Sequence, residues 1–221
     1  MDQEMVATIT ALTAQKRNPD RVNVYLDGTF AFGLPAITAA GLKVGQTLSP
    51  EAIAALQHED LVEKARQSAI RFIGYRPRSV MEVRRNLRNK DYDEPVIEHV
   101  LERLQAVELL DDVAFARYWV EQRETFKPRS QMALRLELQQ KGVARDVIEK
   151  ALVKVDETAT ARRAAEKQAR RWLHLPEDAF RARLVGFLQR RGFNYGVIDE
   201  ITNELWESIT ENTGTDVEDT D

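Results

Sequence analysis

The stretch RPRSVMEVRRNLRNK, residues 76–90, is answered fifty-one positions later by KPRSQMALRLELQQK, residues 127–141. Placing residues 76–104 on 127–155 gives eleven identities in twenty-nine positions, among them Pro77/Pro128, Ser79/Ser130, Arg84/Arg135, Leu87/Leu138 and Ile97/Ile148. Average composition would give about two. A third copy fits at an offset of fifty, with Leu184, Leu188, Arg191-Gly192 and Ile198 on Leu134, Leu138, Lys141-Gly142 and Ile148. The chain is an internal repeat with a period of about fifty residues, and that period sets the fold class.

The repeat also resolves a local ambiguity. Taken alone, MALRLEL at 132–138 alternates like a strand, but its counterpart MEVRRNL at 81–87 does not. Leu136 then faces Arg85, so Leu134 and Leu138 are the core positions and a helix is predicted. Each unit reads as three helices. The first is long (61–75, 112–126, 158–173), the second starts at Ser79, Ser130 or 176–179, and the third carries Val96, Val100, Leu101 and Leu104 or their equivalents. Gly142 and Gly192 fall where a helix end wants positive φ, a slot that Asp91 fills in the first unit. Three-helix units in series bury their apolar faces against one another, which predicts an elongated, curved array.

Ahead of the repeats, VATITALT, VNVYL and TFAFGL read as strands, with Asp27-Gly28 between the last two as a type I′ hairpin turn. The only sheet is expected within residues 1–34. PAITAAG reads as a short helix stopped by Gly41, and Ser49-Pro50-Glu51 opens a new one with Ser as N-cap. The expected class is therefore mainly α: tandem three-helix repeats behind a small β-rich N-terminal segment. The division is 1–50 for that segment, 51–110, 111–156 and 157–209 for the repeats, and 210–221 for an acidic tail, ENTGTDVEDTD from residue 211, whose five acids and lack of periodicity read as disorder.

With 221 residues, 43 % hydrophobic and 31 % charged, the chain has the composition of a soluble globular protein. It has neither an apolar run of membrane length nor the basic start of a signal peptide, which predicts a cytoplasmic protein without a membrane partner. Its lack of cysteine removes disulfides, thiolate metal sites and cysteine nucleophiles. His58, His99 and His174 fall on different helices, and no phosphate-binding loop, nucleophile elbow or HExxH motif occurs. No enzyme, metal or cofactor is indicated. Asp111 and Asp112 precede the helix VAFARYWVEQR and read as caps. Phe115 and Trp119 at i, i+4, and Tyr195 near Ile198, read as core packing.

The net charge of −4 hides an uneven distribution. Residues 64–90 hold nine Lys/Arg against Glu82, and residues 161–191 hold nine against Glu166, Glu177 and Asp178. On the helix starting at Ser79, Met81, Val83 and Leu87 take the core positions. Arg84, Arg85 and Arg88 project elsewhere, with only Glu82 nearby to neutralise them. Arg76 and Arg78 precede that helix, and Arg190 and Arg191 occupy the related end of the third unit. These seven arginines form the candidate partner-binding surface, suited to an acidic or phosphate-rich partner.

The runs ARQSAIRFIGYRPRSVMEVRRNL, VELLDDVAFARYWVEQR, LQQKGV and FLQRRGFNYGVI, spread over residues 60–209, resemble the successive signatures of the RecX family, regulators of the bacterial recombinase RecA. Glu108 departs from that pattern, which usually has Gly before Leu-Leu-Asp-Asp, and many members lack the N-terminal β-rich segment. The resemblance implies a monomeric, non-enzymatic array of three-helix repeats lying in the groove of the RecA filament on single-stranded DNA. It further implies that the array blocks filament growth and modulates ATP hydrolysis and strand exchange in recombination and repair. A repeat protein meets the regular features of a filament several times at once. The other readings are a sequence-independent nucleic-acid-binding protein acting without RecA, and a helical adaptor for an unrelated partner.

Overall fold

The computed structural model describes residues 6–214. Four antiparallel strands come first: β1 (Ala7–Gln15), β2 (Asn18–Leu26), β3 (Thr29–Pro35) and β4 (Thr47–Leu48), in the order β3-β2-β1-β4. Alternation puts Ile9, Val24, Leu26, Phe32 and Leu34 on the covered face. Asp27 and Gly28 both have positive φ, 49° and 85°, and turn β2 into β3 as the sequence predicts. The sheet does not end at residue 34. After α1 (Ala36–Ala39) the chain returns along β1, pairing Thr47 and Leu48 with Thr8 and Ala7, a strand too short to leave any periodicity.

Nine further helices follow among the described residues: α2 (Pro50–Gly74), α3 (Val80–Arg88), α4 (Glu94–Ala106), α5 (Asp112–Phe126), α6 (Gln131–Gln140), α7 (Arg145–Leu152), α8 (Glu157–Trp172), α9 (Glu177–Gln189) and α10 (Tyr195–Gly214). Residues 132–138 are helical, with Leu134 and Leu138 fully buried and Leu136 exposed. The first repeat departs from the expected start at residue 61. One unbroken 25-residue helix runs from the Ser49 cap, whose Oγ accepts from the Ala52 N–H at 3.2 Å. Its first half packs Ala52, Ile53 and Leu56 under the sheet, and its second half buries Ala65 and Ala69. Asp60, between those halves, is buried and pairs with Arg21 of β2 at 2.6 Å and Lys64 at 2.7 Å. Arg21 also donates to the Gly33 carbonyl at 3.1 Å, so a paired ion fastens the sheet to α2. At the other end, α10 continues to Gly214, five residues into the segment expected to be a disordered tail; the rest of that segment lies outside the described residues.

By contact the chain divides into two units. One holds Met1–Arg76 with Val83–Leu109, the other Pro77–Glu82 with Leu110–Asp221. In the second unit, Phe115, Leu134, Leu138, Ile148 and Leu152 form one core, and Ala165, Phe180, Leu184, Leu188 and Ile201 form another.

Candidate binding interface

The duplicated motif makes the same kind of joint twice, both inside the second unit. At the first joint, the fully buried Ser79 donates its hydroxyl to the Lys141 carbonyl at 2.6 Å and accepts from the Glu82 N–H at 3.1 Å. Glu82 returns the bond by accepting from the Ser79 N–H at 3.2 Å, completing a capping box for α3. Its other oxygen pairs with Lys141 Nζ at 2.9 Å. Lys141 also lies over the Trp119 ring, 4.1 Å from its centroid, and Arg123 lies over the same ring at 4.5 Å. Next to Lys141, Gly142 has φ +77° and presents a bare Cα to Met81: a Cβ there would lie 2.5 Å from the Met81 Cβ. Met81 is thus a joint residue and 38 % exposed, where the sequence reading put it in the core.

Asp111 caps α5 as predicted, its Oδ1 accepting from the Val113 N–H at 2.7 Å. Asp112, the first residue of α5, caps a different helix from its own. Its Oδ1 accepts from the Val80 N–H, the first donor of α3, at 2.9 Å. Burial pushes its carboxyl above the ordinary aspartate value, against the pull of that N–H, and nearby Asp111 and Glu82 act in the same direction as burial.

At the second joint, the position of Glu82 is taken by Ala133, and the bonds rearrange accordingly. Ser130 Oγ accepts from the Ala133 N–H at 3.1 Å, but the Ser130 N–H has no carboxylate to meet. It donates instead to the Arg191 carbonyl at 3.1 Å, as a fully buried N–H must find some acceptor. Gly192, at φ +85°, has Ser130 Oγ and Ala133 Cβ where a Cβ would sit, at 2.7 and 3.1 Å. Arg191 donates to the Pro128 carbonyl at 2.7 Å and lies over the Phe187 ring, 4.4 Å from its centroid.

The seven candidate arginines do not form one class. Arg84 pairs with Glu94 and, at 2.7 Å, with Glu98, while Arg88 pairs with Glu94 at 2.8 Å. The expectation that only Glu82 neutralises them is therefore wrong. The α3–α4 hairpin brings the first two turns of α4 beside α3, and Glu82 faces Lys141. The bond recurs in the second repeat as Arg135–Glu149 at 2.7 Å, the same alignment positions as Arg84–Glu98. Hydrogen bonding to Glu98 raises the Arg84 pKa above the ordinary guanidinium value. Arg76 and Arg78 are half-buried and partnered. Arg85 and Arg190 are exposed and, among the described residues, make no ion pair. Arg191 is half-buried and likewise lacks a carboxylate. Burial lowers its pKa, and the neighbouring Arg129 charge lowers it further. Arg129 itself pairs with Glu137 at 3.0 Å, a carboxylate it shares with Arg123 at 2.7 Å.

No group of His, Asp and Glu suited to a metal occurs among the described residues, where His58, His99 and His174 are all exposed. No described helix is long and apolar enough to cross a membrane. Phe115 is buried and Trp119 half-buried as core packing predicts, but Tyr195 is 75 % exposed.

These features define a protein of tandem three-helix repeats behind a four-stranded sheet, whose polar residues are spent on joints, caps and exposed charge. Models of the three RecX three-helix domains match residues 65–104, 111–152 and 156–202, and the Regulatory protein RecX N-terminal domain matches 7–49. The chain belongs to the RecX family, and its β-rich segment, read from sequence as a departure, is a family domain. The chain is 33 % identical over 204 residues to the regulatory protein RecX of Halalkalibacterium halodurans, covering 88 % of this chain and 77 % of that one. It is 33 % identical over 206 residues to that of Clostridium botulinum strain Eklund 17B, covering 90 % and 96 %. A crystal structure of regulatory protein RecX superposes with a TM-score of 0.70 at 28 % identity, over 89 % of this chain and 99 % of that one. The RecX structure from Lactobacillus salivarius gives 0.57 at 26 %, over 66 % and 97 %.

Proposed function

We propose that this protein is a non-enzymatic, monomeric, cytoplasmic regulator that binds the RecA recombinase filament on single-stranded DNA, lies in its groove, and inhibits filament growth, ATP hydrolysis and strand exchange. Family membership supports the regulatory role. The observation that carries the docking surface is the sorting of the arginines, since Arg84 and Arg88 are committed to Glu94 and Glu98 whereas Arg85, Arg190 and Arg191 keep their charge for another molecule. Its functional modules are a small β-rich N-terminal domain, 1–50, and the repeats of 51–110, 111–156 and 157–209. Arg76 and Arg78 contribute to the surface from the link ahead of α3.

The test is to add the purified chain to RecA-coated single-stranded DNA and follow ATP hydrolysis and filament length. Inhibition by the parent, lost in an Arg85→Glu, Arg190→Glu double variant that melts normally, is the expected result. Equal inhibition by both would remove these residues from the surface. Direct phosphate binding without RecA, falling steeply as salt rises, would favour the nucleic-acid reading instead.

A further inference from the structure

The two joints are internal templates for each other, and one of them is incomplete. In the first, the cation Lys141 rests on an aromatic face and is closed by the carboxylate of Glu82. In the second, Arg191 rests on Phe187, but Ala133 stands where Glu82 would be, and no described carboxylate closes the site. A half-buried guanidinium beside a second arginine, without a counter-ion, is held at an electrostatic cost that an incoming anion removes. One N–H of Arg191 is taken by the Pro128 carbonyl; its other donors remain for a ligand. The Phe187 ring also meets Trp172, edge-on at 6.1 Å between centroids, and Trp172 with Ala182, Arg183, Gly186 and Arg190 lines an open groove of about 470 Å³ along α9, beside Arg191 in sequence.

We propose that Arg191 is an open carboxylate seat, and that it and the α9 groove receive an acidic segment of a partner protein. The first joint identifies the missing group as a carboxylate, and the groove adds Arg183 and Arg190, both exposed, for its neighbours. This rests on the regulatory reading only for who the partner is.

The experiment measures binding of a fluorescent octaglutamate peptide by anisotropy at low salt, with the full chain and two variants. Arg191→Gln removes the seat, and Ala133→Glu fills it from within, by copying the first joint. Both should weaken peptide binding by about five- to tenfold, the range for a charge-assisted pair, while Ala133→Glu raises the melting temperature and Arg191→Gln does not. If Arg191→Gln fails to fold, Ala133→Glu carries the test alone. Unchanged binding in Ala133→Glu overturns the proposal. So does a chain ending at residue 214 that binds the peptide tenfold more tightly, which would show the seat filled by the chain's own acids. So does an oligothymidylate of equal charge binding through Arg191 when the peptide does not. Peptide binding by a chain that leaves RecA ATP hydrolysis untouched would refute the regulatory reading and keep the seat.

Discussion

The first and second joints descend from one motif, yet they satisfy their backbone and their charge by different means. With Glu82 present, the Ser79 N–H is capped within α3 and the Ser79 hydroxyl is free to reach the Lys141 carbonyl. With Ala133 present, the Ser130 hydroxyl stays within α6 and the Ser130 N–H makes the crossing to the Arg191 carbonyl. The carbonyl after each second helix receives a serine bond in both cases. One side-chain difference therefore decides which serine group crosses, and whether the cation beside it is closed or open.

The largest test of this comparison is at the glycines. Gly142→Ala should lower unfolding free energy by about 3 kcal/mol, combining left-handed backbone strain with overpacking against Met81. Gly192→Ala should cost about 2 kcal/mol, since Ser130 Oγ is a rotatable neighbour. Urea denaturation measures both. A Cβ at 142 would meet the Met81 Cβ at 2.5 Å as well as its Cγ at 2.8 Å, so Met81→Ala should relieve Gly142→Ala only in part, and full relief would show that the two joints do not differ in rigidity.

Ser79→Ala removes two bonds at a fully buried site and should cost about 2 kcal/mol, against about 1 kcal/mol for Ser130→Ala, whose crossing bond is made by the backbone. Equal losses would mean that the exchange of roles has no energetic content. Outside the joints, Arg84→Glu should lower the melting temperature by about 2–4 °C, the scale of a modest loss in a chain of this size, because it sets a third acid beside Glu94 and Glu98. Arg85→Glu should leave it unchanged, and a thermal melt separates them.

The smallest effect is a matter of pH. Asp112 has a folded-state pKa raised by burial, so its contribution to stability is full below the ordinary aspartate pKa and is lost as pH rises through the raised value. Asp112→Asn keeps an acceptor for the Val80 N–H and removes the titration. Relative to the variant, the parent should lose stability as pH rises from the ordinary aspartate value through the raised one. Glu157, the corresponding first residue of α8, is also raised by burial but held down by Arg135. Its glutamine variant should show a smaller slope, and melts across pH compare the two.

Much of this architecture is legible in the residues. The fifty-residue period, the Ser79 and Ser130 starts, the Asp27-Gly28 turn and the glycines at 142 and 192 all announce themselves through local pattern. What the duplicated motif is for does not, because Ser79 meets Lys141 across sixty-two positions and no local rule links them. The pairing of Arg84 with Glu98 fails for a related reason: charges counted along one helix omit those that a hairpin brings alongside. Asp60 reads as one more surface acid on a charged helix until Arg21 arrives from β2. The strand Thr47–Leu48 is too short to show a period. Glu108 is the reverse case. The position where the family usually has Gly lies at φ +56°, a backbone state that explains that preference and that Glu adopts here at some strain.

The unbroken α2 has a consequence for how the first unit comes apart. The helix closes the sheet through Ile53 and Leu56, and further along, on its other side, it buries Val62, Ala65 and Ala69. Repeat proteins ordinarily fray from their ends, a module at a time. Here a single column of backbone hydrogen bonds belongs to two modules, so amide hydrogens of β2 and of α4 should exchange with solvent in one concerted opening. A chain cut at residue 51 would expose the apolar seat of the sheet rather than release a clean domain.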